Sequence, residues 1–306
     1  MSVRIAAAQV FAAPTGTAAS IAKARDVVAE AARQGIRFLA FPETWLPGYP
    51  VWLDACRDTA LWDHPPVKAA YGRLHAEAIE VPGPETALLA AAARDHEMVI
   101  NMSVHERIRA AAGHGTLYNT MLLFDADGTL RTVHRKLMPT HTERLVWGQG
   151  DGSGLEAADT AVGRAGGLIC WEHWMPLARQ ALHETEEQIH VAAWPAVKEM
   201  MVVASRHYAF EGRCFVVAAG GLQKREELPA GLEVAPDTPD LVLDGGSLIV
   251  GPDGAVLAGP AHGEETILHV DVDLERIPEE MMTLDVTGHY ARPDVLRLER
   301  RGGAAI

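Results

Sequence analysis

The chain has 306 residues, 48% of them hydrophobic and 22% charged, which is the make-up of a globular protein with a sizeable core and excludes a disordered, collagenous or mini-protein scaffold. Its 27 Lys and Arg against 41 Asp and Glu leave a net charge of −14, which repels a phosphate backbone and an anionic membrane surface, so neither nucleic acid nor membrane is an expected partner. Three widely separated cysteines, Cys56, Cys170 and Cys214, form no CxxC pair; that pattern fits a reducing, cytoplasmic compartment rather than a disulfide framework. The N-terminal MSVRIAAAQVFAAP fits a strand at least as well as the apolar region of a secretory leader, and no run approaches the roughly 18 apolar residues of a membrane span.

Residues 3–10, VRIAAAQV, predict a buried strand, and 17–34 a helix, with Ala, Ile and Val at helical spacing up to Gly35. Residues 36–41, IRFLAF, predict a second strand that stops at Pro42-Glu43. A carboxylate just past a buried strand sits at the carboxyl edge of a sheet, where open α/β sheets gather their chemistry. Residues 44–83 hold Pro47, Pro50, Pro65, Pro66 and Pro82 among Trp45, Tyr49, Trp52 and Trp62, and read as a long excursion with a short helix near 67–79.

The regular rhythm then resumes with a helix over 85–95, strands over 97–104, 117–124 and 129–135, and a hairpin turn at Asp127-Gly128. The second half repeats it: strand 160–169, helix 176–187, strand 189–194, helix 198–212, strand 214–219. A second loose segment, 222–241, precedes strands at 246–250, 255–258 and 266–271. Two such halves without a sharp linker predict an α/β fold of two sheets packed face to face with helices outside, an α-β-β-α sandwich in a single domain spanning 1–306. The segments 52–80 and 222–241 are its expected insertions.

Cys170 follows GRAGGLI and precedes WEHWMP, where Pro176 can open a helix. This is a strand-to-helix turn presenting a thiol, and the nearby helix start favours a thiolate. A lone cysteine is ordinarily a small buried hydrophobe; the position changes that reading. Fourteen histidines invite a metal, but there is no HExxH and no paired Cys/His spacing, so no metal is expected. GQGDGSG at 148–154 follows no strand-GxGxxG-helix order, and no GxxxxGK[ST] is present, so no nucleotide or other cofactor is expected either.

Three motifs, FPETWLPGYP at 41–50, HRKLMPTHTERLVWGQGDGSGL at 134–155 and GGLICWEHWMPLAR at 166–179, resemble the nitrilase branch of the carbon-nitrogen hydrolase superfamily. RHYAFEGRCFVV at 206–217 and TGHYARPDV at 287–295 extend the resemblance over nearly the whole chain. It implies Glu43 as general base, Lys136 as catalytic lysine, Cys170 as nucleophile and Glu143 as a second glutamate contacting the lysine. It also implies hydrolysis of a nitrile to a carboxylic acid and ammonia. An amidase or carbamoylase of the same superfamily is the alternative, although CWEH followed by MPL is closer to the nitrilase strings.

Chemistry asks for the same residue types. A nitrile carbon is a poor electrophile and calls for a sulfur nucleophile with a base beside it, which a desolvated Glu43 would supply, and Lys136 would stabilise negative charge growing on nitrogen. Each of these charged residues is more often a solvated surface group, but strand-end positions are unusual for one. Glu172 is expected to brace the turn from beside the nucleophile, and His173 is not expected to be catalytic. Trp45, Tyr49, Trp171 and Trp194 are expected near the substrate, against an equal case for core packing. The resemblance further implies a homodimer at minimum, with larger assemblies through the insertions and a final RGGAAI too small to clamp a neighbour.

Overall fold

The computed structural model describes residues 2–108 and 113–300. In chain order its elements are β1 (Ser2–Gln9), α1 (Thr17–Arg33), β2 (Phe38–Ala40), α2 (Trp52–Ala55), α3 (Pro65–Glu77), α4 (Pro84–Asp95), β3 (Val99–Arg107), β4 (Leu117–Phe124) and β5 (Leu130–Arg135). There follow β6 (Ala158–Thr160), β7 (Gly163–Ile169), α5 (Pro176–His183), β8 (Ile189–Trp194), α6 (Glu199–Gly212), β9 (Phe215–Gly220) and β10 (Leu222–Lys224). The last are β11 (Leu241–Val250), β12 (Val256–His262), β13 (Thr266–Asp273) and α7 (Arg276–Met281).

One sheet runs β13-β1-β2-β3-β4-β5 and the other β10-β11-β9-β8-β7-β6, with β12 added beside β11. Each has a parallel centre, β1-β2-β3 and β7-β8-β9, flanked by antiparallel strands. The period of two along each strand decides what faces what. Val3, Ile5 and Ala7 of β1, Phe38 and Ala40 of β2 and Met121 and Leu123 of β4 share a core with the second sheet. Their alternates Ala6, Ala8, Leu39, Leu122 and Phe124 pack under α1 and α4.

α1 supplies Ile21, Ala24, Val27, Val28 and Ala31, a stripe at helical spacing, and each such Val or Ile contributes about 1.5–3 kcal/mol by burial. α5 and α6 cover the far side of the second sheet through Ala178, Ala181, Leu182, Ala204, Tyr208 and Ala209. The result is the four-layer α-β-β-α sandwich. Gly167 lets the layers close, since a Cβ there would stand 2.7 Å from Met121 Cε and 2.6 Å from Val191 O.

Some boundaries differ from the sequence reading. The strand expected over 160–169 is a hairpin: β6 and β7 pair through Thr160 and Gly163, the Thr160 hydroxyl donates to Gly163 O at 2.6 Å, and Gly163 has φ +124°, a conformation that suits a turn glycine. The helix over 176–187 ends at His183, where the Thr185 hydroxyl donates to Leu182 O at 2.7 Å. Strand β11 begins five residues earlier than the strand expected at 246–250, and α7 was not expected.

The two expected insertions are ordered and pair with each other. Cys56 and Val234 form an antiparallel bridge, Arg57 N–H donates to Glu233 O and Ala235 N–H to Ala55 O, each at 2.9 Å. Val51, Trp52, Leu53 and Cys56 share a third core with Leu232 and Leu243. No helix among the described residues is long and apolar enough to cross a membrane. The expectation for RGGAAI falls on 301–306, outside the described residues.

Candidate active site

The carboxyl ends of the two parallel centres meet, because Glu43 N–H donates to Trp194 O at 3.3 Å across the sheets. Glu43 follows β2, Lys136 follows β5, Cys170 follows β7, and Glu143 lies in the short 3-10 turn His141–Leu145. All four are buried. A Glu43 oxygen, a Glu143 oxygen and Cys170 Sγ lie within 4.8 Å of one another, and the positive charge among them is the Lys136 ammonium, 2.7 Å from both Glu43 Oε1 and Glu143 Oε2.

Three of the four carboxylate oxygens in this cluster are held by hydrogen bonds. Glu143 Oε1 accepts from the Tyr49 hydroxyl at 2.8 Å, and its Oε2 also accepts from Thr140 N–H at 2.6 Å. Glu43 Oε1 accepts from Asn119 Nδ2 at 2.6 Å besides Lys136. Glu43 Oε2 has no partner among the described residues. It is the buried acceptor left open for a proton or a substrate atom.

Burial drives the electrostatics. It pushes Glu43 up to about 7, with the Glu143 charge adding to the rise and Lys136 opposing it. Burial works against the Lys136 ammonium too, yet the Glu43 and Glu143 carboxyl groups hold it above the ordinary lysine range. Burial, then the Glu43 charge, raises the Cys170 thiol well above its usual value. At neutral pH the resting state is a protonated thiol beside a fixed ammonium and a carboxylate poised between its two forms.

Cys170 has φ +53°, a left-handed conformation that costs a non-glycine residue about 1–3 kcal/mol. Glu172 holds it there. Its carboxylate accepts from Ile169 N–H at 2.7 Å, Leu137 N–H at 2.8 Å and His134 Nε2 at 2.9 Å, tying the Cys170 turn to the strand end that carries Lys136. Burial opposes the charge of Glu172, but His134 and the two N–H groups keep it below the ordinary glutamate range.

A cavity of about 460 Å³ opens on the cluster. Tyr49, Glu143, Cys170 and Trp171 line it together with Asp54 and Ala55 from α2, and Asp237, Thr238 and Pro239 from the segment 222–241. Trp45 and Trp194 are not among its lining residues. The Trp45 indole donates to Val10 O at 2.7 Å and packs on Phe41 within the core of the first sheet, and Trp194 stacks on the His173 ring, centroids 4.8 Å apart. Trp194 ends β8 and Trp45 lies in the turn after β2, and both rings are directed into the core.

Asn119, His134 and Thr140 were not anticipated. Asn119 is a polar residue inside the apolar run LYNTMLLF, and that interruption was the available signal.

The sequence from residue 4 to 279 matches the model of the carbon-nitrogen hydrolase family. The chain belongs to this family, and to its nitrilase branch. It is 40% identical to an aliphatic nitrilase of Sinorhizobium fredii over 96% of this chain and 94% of that one. It is 39% identical to a nitrilase of Paraburkholderia phymatum, covering 97% and 86%, and 40% identical to a bifunctional nitrilase/nitrile hydratase of Nicotiana tabacum, covering 92% and 81%. The fold is similar to that of a carbon-nitrogen hydrolase from Helicobacter pylori, with a TM-score of 0.74 at 19% identity over 96% of each chain. Nit3 of Saccharomyces cerevisiae superposes with a TM-score of 0.70 at 17% identity, over 94% of this chain and 96% of that one.

Proposed function

We propose that the protein is a nitrilase, hydrolysing a small nitrile to its carboxylic acid and ammonia, with Glu43, Lys136, Glu143 and Cys170 as its catalytic residues. The observation that carries the chemistry is the buried Glu43 carboxyl group, which has one oxygen within 4.8 Å of Cys170 Sγ, its Oε1 on the Lys136 ammonium and its Oε2 without a partner among the described residues. The relatives named nitrilase carry the choice of substrate class.

Glu43 takes the thiol proton as sulfur attacks the nitrile carbon, and Lys136 stabilises the charge growing on nitrogen. Glu43 returns the proton to nitrogen, leaving a thioimidate on Cys170. Glu43 then activates a water that adds to the same carbon. Loss of ammonia from this tetrahedral adduct gives a thioester, and a second water releases the acid and restores the thiol. Glu143 holds Lys136 on line, and Tyr49 holds Glu143. Loss of the thiol instead of ammonia would release an amide, so the product ratio reports how well the leaving nitrogen is protonated.

An amidase or carbamoylase would use the same four side chains. Ammonia release from a panel of nitriles, and from the matching amides, separates them: turnover of amides alone would overturn the nitrilase reading. No cofactor enters the scheme. The protein acts in the cytosol as a homodimer at minimum, a reading supported by three free, buried cysteines and by an apolar surface on α5 and α6.

A further inference from the structure

Behind the Cys170 turn lies a row of buried polar side chains that the scheme above does not use. His173 Nδ1 stands 2.7 Å from the carbonyl oxygen of Cys170. His173 Nε2 is 2.9 Å from His190 Nε2, and His190 Nδ1 is 2.9 Å from Glu187 Oε2. The Tyr208 hydroxyl donates to Glu187 Oε2 at 2.7 Å. The rings are clamped, since Tyr208 stacks on His190 with centroids 3.6 Å apart and Trp194 on His173. None of the four lines the cavity. Gly166 leaves the room they need, because a Cβ there would stand 2.7 Å from Glu187 Oε1.

The proton positions in this row follow from its two ends. A carbonyl oxygen carries no proton, so His173 Nδ1–H donates to it. A neutral imidazole then offers only a lone pair at Nε2, so His190 Nε2–H donates to His173. That leaves a lone pair at His190 Nδ1, and the remaining proton belongs to Glu187. Burial agrees with each assignment. It lowers His173 to about 3, with the neighbouring His190 adding to the fall, lowers His190 well below its usual value, and raises Glu187 to about 8.

We propose that Glu187, His190 and His173 are positioning residues, whose hydrogen bonds run one way from a Glu187 carboxylic acid to the Cys170 carbonyl and clamp the Cys170–Trp171 peptide unit. The N–H at the other end of that unit belongs to Trp171, the residue directly after the nucleophile, and Cys170 itself is held at φ +53°. A peptide unit free to rotate about the left-handed Cys170 would change the direction in which the nucleophile is presented. The proposal rests on Cys170 being the nucleophile, not on which C–N bond it attacks.

The test compares Glu187→Gln with Glu187→Met, measuring kcat, KM and the rate at which iodoacetamide alkylates Cys170, located by peptide mapping. Iodoacetamide reads the thiol without any nitrile, so a wrong substrate assignment leaves this arm standing. Glu187→Met is expected to lower kcat and the alkylation rate about tenfold or more while KM stays within about twofold. Glu187→Gln presents an N–H to His190 and an oxygen to Tyr208, and is expected to keep both rates within about threefold of wild type. Should Glu187→Met fail to fold, Glu187→Asp, one methylene too short to reach, takes its place with the same expected loss. Wild-type kcat and alkylation in the Met or Asp variant would overturn the proposal, and so would a Gln variant as impaired as either.

Discussion

The two oxygens of Glu43 have different surroundings, Oε1 accepting from Lys136 and Asn119 and Oε2 from nothing among the described residues. With the carboxyl group raised to about 7 by burial, its basic form is lost as pH falls through that value. On a neutral nitrile, kcat/KM is therefore expected to drop about tenfold per pH unit below the midpoint. A flat profile between pH 5 and 8, roughly the span over which the titration must show, would remove Glu43 as the base. The same shift bears on stability. Folding favours the protonated group, so stability is full below the ordinary value of 4.5 and declines as pH rises towards 7, by about 3 kcal/mol in total. Glu43→Gln keeps an oxygen for Lys136 and Asn119 and escapes that decline. It is expected to be inactive yet no less stable than wild type to urea at pH 8, and a lower urea midpoint would contradict the linkage. Cys170→Ala is expected to lose turnover by about 10⁴-fold or more with its melting profile kept, whereas Ala or Ser at Cys56 or Cys214 retains most activity. Retained turnover in Cys170→Ala would end the nitrilase reading.

Among the elements, the short segment Cys170–Trp174 and the end of β5 are joined by Glu172, and this joint sets the distance between nucleophile and lysine. Glu172→Ala would leave Ile169 N–H, Leu137 N–H and His134 buried without their acceptor. A loss of about 3–5 kcal/mol is expected, together with a fall in kcat. Urea unfolding beside steady-state kinetics measures both, and a variant of wild-type stability would show that the backbone holds the turn unaided. The sequence made this region partly legible. PET and CWE announced their strand ends because a charged or nucleophilic residue directly after a buried apolar run is conspicuous, whereas Lys136 follows the mixed, half-buried LRTVHR of β5 and was marked only by the resemblance of its motif. The sequence did not reveal that His134 and Glu172 meet, or that Cys56 pairs with Val234, since such contacts join residues distant in the chain. The turn at 161–162 was hidden for another reason: Ala161 and Val162 are ordinary strand residues, and Gly163 alone marks the reversal. Trp45 and Trp194 show the limit of adjacency, because a residue beside a catalytic strand end can point to either face.

At the scale of the whole molecule, one surface stands out. Met200, Val203 and Phe210 lie on one face of α6 at helical spacing, 46–56% exposed, and Leu177 at the start of α5 is 69% exposed. Trp174 and Met175, each 36% exposed, join the Cys170 turn to that face. Arg179 of α5 and Glu211 of α6, 2.7 Å apart, hold the two helices side by side. An apolar patch on neighbouring helices is what a self-complementary dimer buries, and stable interfaces cover about 1,600 Å² in total. A homodimer formed here would rest on the segment that carries Cys170, so association and activity should fall together. Leu177→Glu with Met200→Glu places two carboxylates in the patch and, by symmetry, four in the interface. Light scattering coupled to size exclusion is expected to give a multiple of 33.0 kDa for wild type and a monomer, with reduced kcat, for the double variant. The segment between α2 and α3 offers a second contact, since Trp62 is 96% exposed and Leu61 59%. Trp62→Ala is accordingly expected to remove species larger than the dimer and leave the dimer active. A fully active wild-type monomer would refute the dimer, and a double variant that stays dimeric would move the interface away from α5 and α6.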